Sequence, residues 1–424
     1  MSLTEVNMAL VSAAGRVVEL QTALTACKAL GPDNGGQGEA AKVTFIARQL
    51  EACGIRDIRQ FDAPDPRVPG GVRPNLVARL AGRSSRTLWL FGHTDVVPPG
   101  DVAAWSSDPW QVRQDGDWLY GRGVEDNQQA IVSMLLLAEA LRKTGSTPEL
   151  GLGLVFMADE ESGSRYGLEF LLGSASGLFA PDDLYIVPDA GSPRADRIEV
   201  AEKGQLWLKC STRGQQCHAS TPHKGRNAFL AGAELVLALE KGLTAAFPQE
   251  DALFRPAHST FVPSRHDANV DSINILPGSD VFYVDCRLIP QVVAQDVLQE
   301  ARRIAATVAA SHGVAIEIEV VQQQTAAASR TDSPVVTALQ GAIGAVYGVE
   351  ARPVGIGGLT VAAHLRQHGL PVAVWACIAN TCHQPDERSS ISNTCRDAQV
   401  FAHILMKGED AGRAGTDTRP YSHA

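Results

Sequence analysis

Five residues on five separate segments, His93, Asp126, Glu161, Asp189 and His383, supply two imidazoles and three carboxylates. That donor set suits two closely spaced divalent cations, one held by His93 and Asp189, the other by Glu161 and His383, with Asp126 bridging them. Mixed imidazole and carboxylate ligation favours zinc, with cobalt or manganese as substitutes. Two such ions about 3.5 to 4 Å apart activate a water and polarise a carbonyl. Glu160, next to Glu161, is available to take the water's proton and pass it to a leaving amine. Asp95 lies two residues beyond His93 on an extended segment, points to the same side, and is expected to orient the His93 ring. Each residue alone has an ordinary alternative: a hydrogen-bonded strand-end histidine, an N-capping aspartate, a solvated acidic run. As a set they ask for more, because three consecutive carboxylates, Asp159 to Glu161, directly behind a core strand repel one another unless a cation or proton offsets them.

Strands must deliver these groups. Leu88 to Phe91 is a short apolar run of the kind buried on both faces of a sheet; Gly92 turns the backbone, and His93 and Asp95 follow. Leu152 to Met157 runs into the acidic triplet, Leu184 to Val187 into Asp189, and Val372 to Cys377 towards His383. Ligands in open α/β sheets gather at such carboxyl ends. Trp118 to Tyr120 reads as a short strand leading through Gly121-Arg122-Gly123-Val124-Glu125-Asp126 to a helix over Gln128 to Lys143. A neighbouring strand is expected at Asn75 to Leu80. Helical spacing is expected over residues 3 to 29, 39 to 53, 334 to 346, 360 to 368 and 398 to 406.

Between residues 204 and 322 the pattern changes. Strands at Gln205 to Arg213, Val270 to Leu276, Val281 to Leu288 and Val314 to Val321, with helices at Asn227 to Lys241 and Gln291 to Ala310, give the β-α-β-β-α-β order of a ferredoxin-like sandwich. The expected organisation is an α/β catalytic domain in two parts, 1–203 and 323–407, interrupted by an inserted α+β domain at 204–322. A polar tail at 408–424, rich in glycine and charge, is expected to be disordered.

Composition narrows the partners. The 424 residues carry a formal net charge of -10 without a cluster of Lys and Arg, which argues against a nucleic-acid backbone. No apolar run approaches the roughly 18 residues of a membrane span, and no secretory leader is visible, so a cytoplasmic location is expected. Eight cysteines form no CxxC pair and are expected to be reduced; Cys382, beside His383, reads as a strand-end thiol. Gly355-Ile356-Gly357-Gly358 lacks the GxGxxG of a dinucleotide site. His364 and His368, four apart on a helix, have no carboxylate or cysteine partner in view and read as a solvated face.

The segments GHTDVVPPGD, GRGVED, ADEESGS, PDAG, HASTPHKGRNA, NILPG, DCR, GIGGLT and CHQPDE stand in order from Gly92 to Glu387. In this the chain resembles the co-catalytic zinc hydrolases that include succinyl-diaminopimelate desuccinylase, acetylornithine deacetylase, aminoacylase and the glutamate carboxypeptidases. The resemblance implies a zinc-peptidase-like three-layer α/β/α catalytic domain and an inserted ferredoxin-like domain that acts as lid and dimerises. It implies the five ligands above with Glu160 as general base. His218 resembles a histidine that reaches the partner subunit's site to stabilise the oxyanion. Asn274 and Arg287 resemble residues that hold the substrate carboxylate, and Gly357 and Gly358 a loop lining the pocket. The implied activity is hydrolysis of a small N-acyl amino acid by a homodimer. A dipeptidase or carboxypeptidase is the alternative within the family, and a catalytically silent metal-binding scaffold the alternative of another class, disfavoured because Glu160 and all five ligands are present. Two departures stand out. Asn127-Gln128-Gln129-Ala130 replaces the lysine and glycine that follow the bridging aspartate in many relatives, and Val361-Ala362 replaces Ser-Asp; both are expected to border the substrate pocket.

Overall fold

The computed structural model describes residues 2–175 and 177–408, so all but the first residue of the expected tail lies outside the described residues. Contacts divide the chain into two units. One comprises Met1–Val200, Ser329–Pro353 and Thr360–Ala424; the other comprises Ala201–Ala328 with Val354–Leu359.

The first unit is built on a mixed sheet. Its strands run in the order Asp57–Pro64, Val72–Leu80, Gly151–Met157, Thr87–His93, Leu184–Gly191, Val372–Ala376 and Arg197–Glu202. Thr87–His93 is parallel to Gly151–Met157 and to Leu184–Gly191, and the latter is parallel to Val372–Ala376. Four carboxyl ends therefore open on one edge. Every residue of Thr87–His93 and of Gly151–Met157 is buried, which is why both read as unbroken apolar runs. One face of the sheet packs Trp89, Phe91, Val155 and Val187 against Leu168 and Leu171 of the Leu168–Ser174 helix and Ala362 and Leu365 of the Ala362–Gln367 helix. The Gln128–Thr144 helix, almost wholly buried, packs on the Thr87–His93 strand and against Ile391–Lys407. The result is a three-layer α/β/α unit. Burial of each large apolar side chain here contributes about 1.5 to 3 kcal/mol.

The second unit carries a four-stranded antiparallel sheet in the order Thr260–His266, Ser279–Leu288, Gly204–Arg213, Ala315–Gln324. Helices Ala228–Ala246 and Ala294–His312 pack on each other and on this sheet, as in a ferredoxin-like sandwich. Burial alternates residue by residue along Ser279–Leu288, as a sheet with one covered face requires. Among the described residues, no helix is long and apolar enough to cross a membrane.

Two expectations need correction, and one strand was not expected. The second strand of the inserted unit is Thr260–His266, not Val270–Leu276, of which only Ile275–Leu276 pairs, with Cys217–His218. Pro263 and the polar residues around it disguise that strand; it is tolerated because the strand lies at the sheet edge and is bulged between Pro263 and Arg265. The helix expected over residues 3 to 29 is two helices, Leu3–Val11 and Ala14–Ala26. The edge strand Asp57–Pro64 leaves no trace in the sequence, because most of its residues are exposed and it has no apolar run.

Trp89 shows how tightly the sheet is specified. It lies opposite Gly153 in the parallel register, its indole N–H donates to Asp183 Oδ2 at 2.8 Å, and Asp183 Oδ1 accepts the Thr87 amide at 2.7 Å. A Cβ at position 153 would fall 2.1 Å from the fixed ring. Gly153→Ala is expected to destabilise the protein by about 1 to 3 kcal/mol through overpacking. Urea unfolding checks this: the midpoint should fall with an unchanged slope.

Candidate metal centre

His93 ends its strand almost fully buried. Its Nδ1 lies 3.1 Å from the Asp95 carbonyl oxygen and 3.4 Å from Asp95 Oδ1. A carbonyl can only accept, so Nδ1 carries the hydrogen, and in the neutral ring Nε2 turns its lone pair to the other side, the form that ligates a metal. That Nε2 lies 2.7 Å from Asp126 Oδ1 and 3.6 Å from Asp189 Oδ1. On the far side of Asp126, His383 Nε2 lies 3.1 Å from Asp126 Oδ2 and 3.1 Å from Glu161 Oε2. Two donor triads result, His93/Asp126/Asp189 and Asp126/Glu161/His383, each with its ligand atoms within 4.8 Å of one another and with Asp126 common to both.

The acidic triplet divides its labour. Asp159, in the left-handed region at φ 62°, accepts from Arg73 at 2.5 Å and from the Tyr166 amide at 3.0 Å. It belongs to the framework. Glu160 and Glu161 start a short 3-10 turn whose two amides donate to Asp95 Oδ1 and Oδ2, each at 3.1 Å. Asp95 thus touches His93 and fixes the backbone of Glu160 and Glu161 at once. Asn127, the first residue of the departure that follows Asp126, joins the first triad: its side chain donates to Asp189 Oδ1 at 2.9 Å and to the Pro188 carbonyl at 3.0 Å, and accepts the His93 amide at 3.3 Å. Only the placement of its amide between two strand ends identifies it, and no sequence pattern encodes that.

The residues present fit two cations. Donors bound tetrahedrally to one zinc at about 2.0 to 2.1 Å stand roughly 3.3 Å apart, close to the separations found in both triads. Glu161 Oε1 is buried without a hydrogen-bond partner among the described residues, an acceptor left over for a cation. The local field asks for positive charge. His383 is pushed up to about 10 by its contacts with Asp126 and Glu161. Burial opposes protonation of His93, yet Asp126, Asp189 and Asp95 drive it well above the ordinary histidine value. Burial, with the charges of Asp189, Glu161 and Asp126, drives Glu160 well above the usual carboxylate range. Cations held by these donors would relieve that stress and favour the ionised form of Glu160.

The candidate substrate residues lie in the second unit, in two groups. His218 pairs in register with Ile275, and the Ala219 amide donates to the Asn274 carbonyl at 2.8 Å, so His218 and Asn274 share a short ribbon. The Ser220 amide donates to His218 Nδ1 at 3.1 Å. Arg287 is held by Asp285 through two bonds of 2.8 and 3.1 Å, and its Nη1 lies 3.4 Å from the Gly357 carbonyl, with Gly358 exposed beside it.

The first family departure meets the cluster through Asn127, while the other residues of the two departures point into the protein. Gln128 and Gln129 are buried: Gln128 accepts from Thr25, and Gln129 donates to the Cys377 carbonyl and to Asp397. Val361 and Ala362 belong to the apolar core beneath the sheet. All four are packing residues.

The profile of Peptidase family M20/M25/M40 matches residues 89–407. The chain is 35% identical over 411 residues to an uncharacterized metallohydrolase of Methanococcus maripaludis, covering 92% of this chain and 98% of that one. It is 26% identical over 393 residues to a succinyl-diaminopimelate desuccinylase of Paracoccus denitrificans, covering 92% and 97%. Its fold matches that of the di-peptidase Dug1p of Saccharomyces cerevisiae with a TM-score of 0.71 at 18% identity, covering 96% and 99%.

A donor set of this kind stabilises the folded state when it is filled. Zinc added to the metal-free protein is expected to raise the melting temperature, by the equivalent of about 2.7 kcal/mol at a free concentration 100 times Kd. A chelator should reverse the gain, and His93→Ala should reduce it. Scanning calorimetry reads all three, and no shift with zinc, cobalt or manganese would remove the metal assignment.

Proposed function

As a member of peptidase family M20/M25/M40 the chain is a metallohydrolase, and we propose that it hydrolyses the amide bond of a small N-acyl amino acid, with zinc as its metal. The observation that carries this reading is the pair of triads sharing Asp126, with an uncommitted carboxylate, Glu160, beside the ligand Glu161. Among the described residues the Glu160 backbone is tied to Asp95, while its carboxylate enters no hydrogen bond. It is free to receive a proton.

Two divalent ions held by His93, Asp126, Asp189, Glu161 and His383 would polarise the amide carbonyl and acidify a water molecule. Glu160 takes the proton from that water and hands it to the leaving nitrogen. Asp95 acts through others: it orients His93 and the Glu160–Glu161 turn. Because the Ser220 amide occupies His218 Nδ1, the neutral ring of His218 offers Nε2–H as a donor, the polarity an oxyanion needs. Arg287, held flat by Asp285 and bonded through Nη1 to the Gly357 carbonyl, still has its outer Nη1/Nη2 edge to offer a substrate carboxylate, with Asn274 as second contact. The Gly357 and Gly358 loop lies beside Arg287 and lines the pocket in this reading.

Relatives named as succinyl-diaminopimelate desuccinylases, by that name, act on an acyl group carried by an amino acid, which supports a deacylase. The dipeptidase likeness is at 18% identity and bears on the fold alone. A homodimer formed through the inserted domain, 204–322, is part of the proposal. Among the described residues, the large exposed apolar side chains outside the second unit are Met8, Val11 and Val102. The second unit exposes Trp207, Phe229, Leu230, Leu237, Val320 and Val321, among others. Leu230 and Leu237, seven apart on the Ala228–Ala246 helix, share a face. Exposed apolar side chains on one helix face support an interaction surface there.

Two experiments test this. Glu160→Gln is expected to keep two zinc per chain while kcat falls by about 10²- to 10⁴-fold on a panel of N-acetyl and N-succinyl amino acids and dipeptides. Wild type that holds zinc yet is inert across the panel would favour the scaffold reading, and activity on dipeptides alone the peptidase one. Separately, Leu230→Asp combined with Leu237→Asp should convert a dimer into a monomer by sedimentation; a wild-type monomer would refute the dimer.

A further inference from the structure

We infer that Glu125 and Glu387 form a reciprocal brace that sets the affinity of the metal cluster, each carboxylate holding the loop that carries the other. The inference rests on the two-ion reading above and concerns two residues outside the ligand set.

Both side chains are buried, Glu125 at 3% exposure and Glu387 at 0%. Glu387 lies four residues beyond His383 and reaches across to the loop of Asp126. Its Oε2 accepts from Arg122 Nη1 at 2.5 Å and the Gly123 amide at 3.0 Å; its Oε1 accepts the amides of Glu125 at 2.9 Å and Asp126 at 3.0 Å. Glu125 reaches the opposite way. Its carboxylate accepts the Asn380 amide at 2.7 Å, the Thr381 amide at 2.9 Å, and the Thr381 hydroxyl through a short bond. Each carboxylate therefore ends on the backbone of a segment leading to a metal donor, and each is one residue or a few away from a donor itself.

The His383 loop needs such a hold. Asn380, His383 and Asp386 have φ values of 62°, 62° and 56°, a region that residues with a Cβ leave readily. Glu125 pins one end of this loop. At the other end Asp386 accepts from the Ser106 amide at 2.9 Å and the Ser106 hydroxyl at 2.8 Å. Carboxylates that accept several peptide N–H groups form strong, directional bonds, and metal donors tolerate displacements of only about 0.2 Å.

The connectivity makes the two residues unequal. Glu387 bonds the amide of Asp126, which belongs to both triads, whereas Glu125 holds only the loop of His383, which belongs to one. Glutamine at either position keeps the size but turns an NH₂ group towards peptide N–H donors.

The test is a competitive zinc titration of the metal-free full-length protein by calorimetry, with a chelator setting free zinc. Wild type should show two binding events. Glu125→Gln should weaken one of them about 10- to 100-fold and leave the other unchanged; Glu387→Gln should weaken both. Gly153→Ala, which overpacks the sheet against Trp89 and touches neither carboxylate of the brace, should lower the melting temperature and leave both events in place. Should Glu125→Gln fail to fold, Thr381→Val removes one donor to the same carboxylate and should give a smaller loss at the same single event. Wild-type affinities in both glutamine variants, or equal loss of both events in Glu125→Gln, would overturn the brace. Wild type that takes up no zinc would instead overturn the two-ion reading beneath it.

Discussion

Negative charge gathered at the open edge of a parallel sheet is the constraint on which the rest of this structure depends. Asp126, Glu160, Glu161 and Asp189 converge where burial makes ionisation costly, and the strands that bring them there are too apolar to offer a counter-charge. His93 and His383 answer part of the field, and the two donor triads could hold cations that would answer the remainder. Everything else near the cluster keeps the carboxylates from relaxing apart. Asp95 spends both oxygens on the Glu160–Glu161 turn, Asn127 ties His93 to Asp189, and Arg73 removes Asp159 from the competition.

Much of this arrangement was legible in the chain itself, for a physical reason. Strands buried on both faces leave an unmistakable apolar run, so Leu88 to Phe91, Leu152 to Met157 and Leu184 to Val187 announce their own ends, and the ligand types stand at or just past those ends. Edge strands leave no such trace. Thr260–His266 contains a proline and alternates poorly, and Asp57–Pro64 is largely exposed, so neither could be seen without its pairing partner. The supporting residues were hidden for a different reason. Asn127, Glu125 and Glu387 work through bonds to backbone amides that are distant in sequence, and a backbone amide carries no residue type to match. Glu125 and Glu387 stood inside segments already singled out, GRGVED and CHQPDE, yet only their burial separates a brace from a solvated acid.

The two departures from the family pattern follow the same logic. Placed just beyond Asp126, Gln128 and Gln129 invite a substrate-facing interpretation, but a helix that begins at Gln128 turns both side chains into the protein. Gln129 donates to the Cys377 carbonyl at 2.9 Å and to Asp397 Oδ2 at 2.9 Å. Asp397 in turn accepts from Tyr347 at 2.7 Å and receives the Cys377 amide, and burial pushes its carboxyl up to about 7 in spite of those donors. The helix that follows Asp126 is thereby bonded to the end of the strand that leads to His383. Val361 and Ala362 likewise fill the core under the sheet. At Gln128, Gln129, Val361 and Ala362 the changes bear on how the cluster is supported. A polar site selects its ligand by the hydrogen bonds left unmade when the wrong one binds, so under the proposed function His218, Asn274 and Arg287, which offer donors outside the core, are the groups whose replacement would test discrimination between substrates.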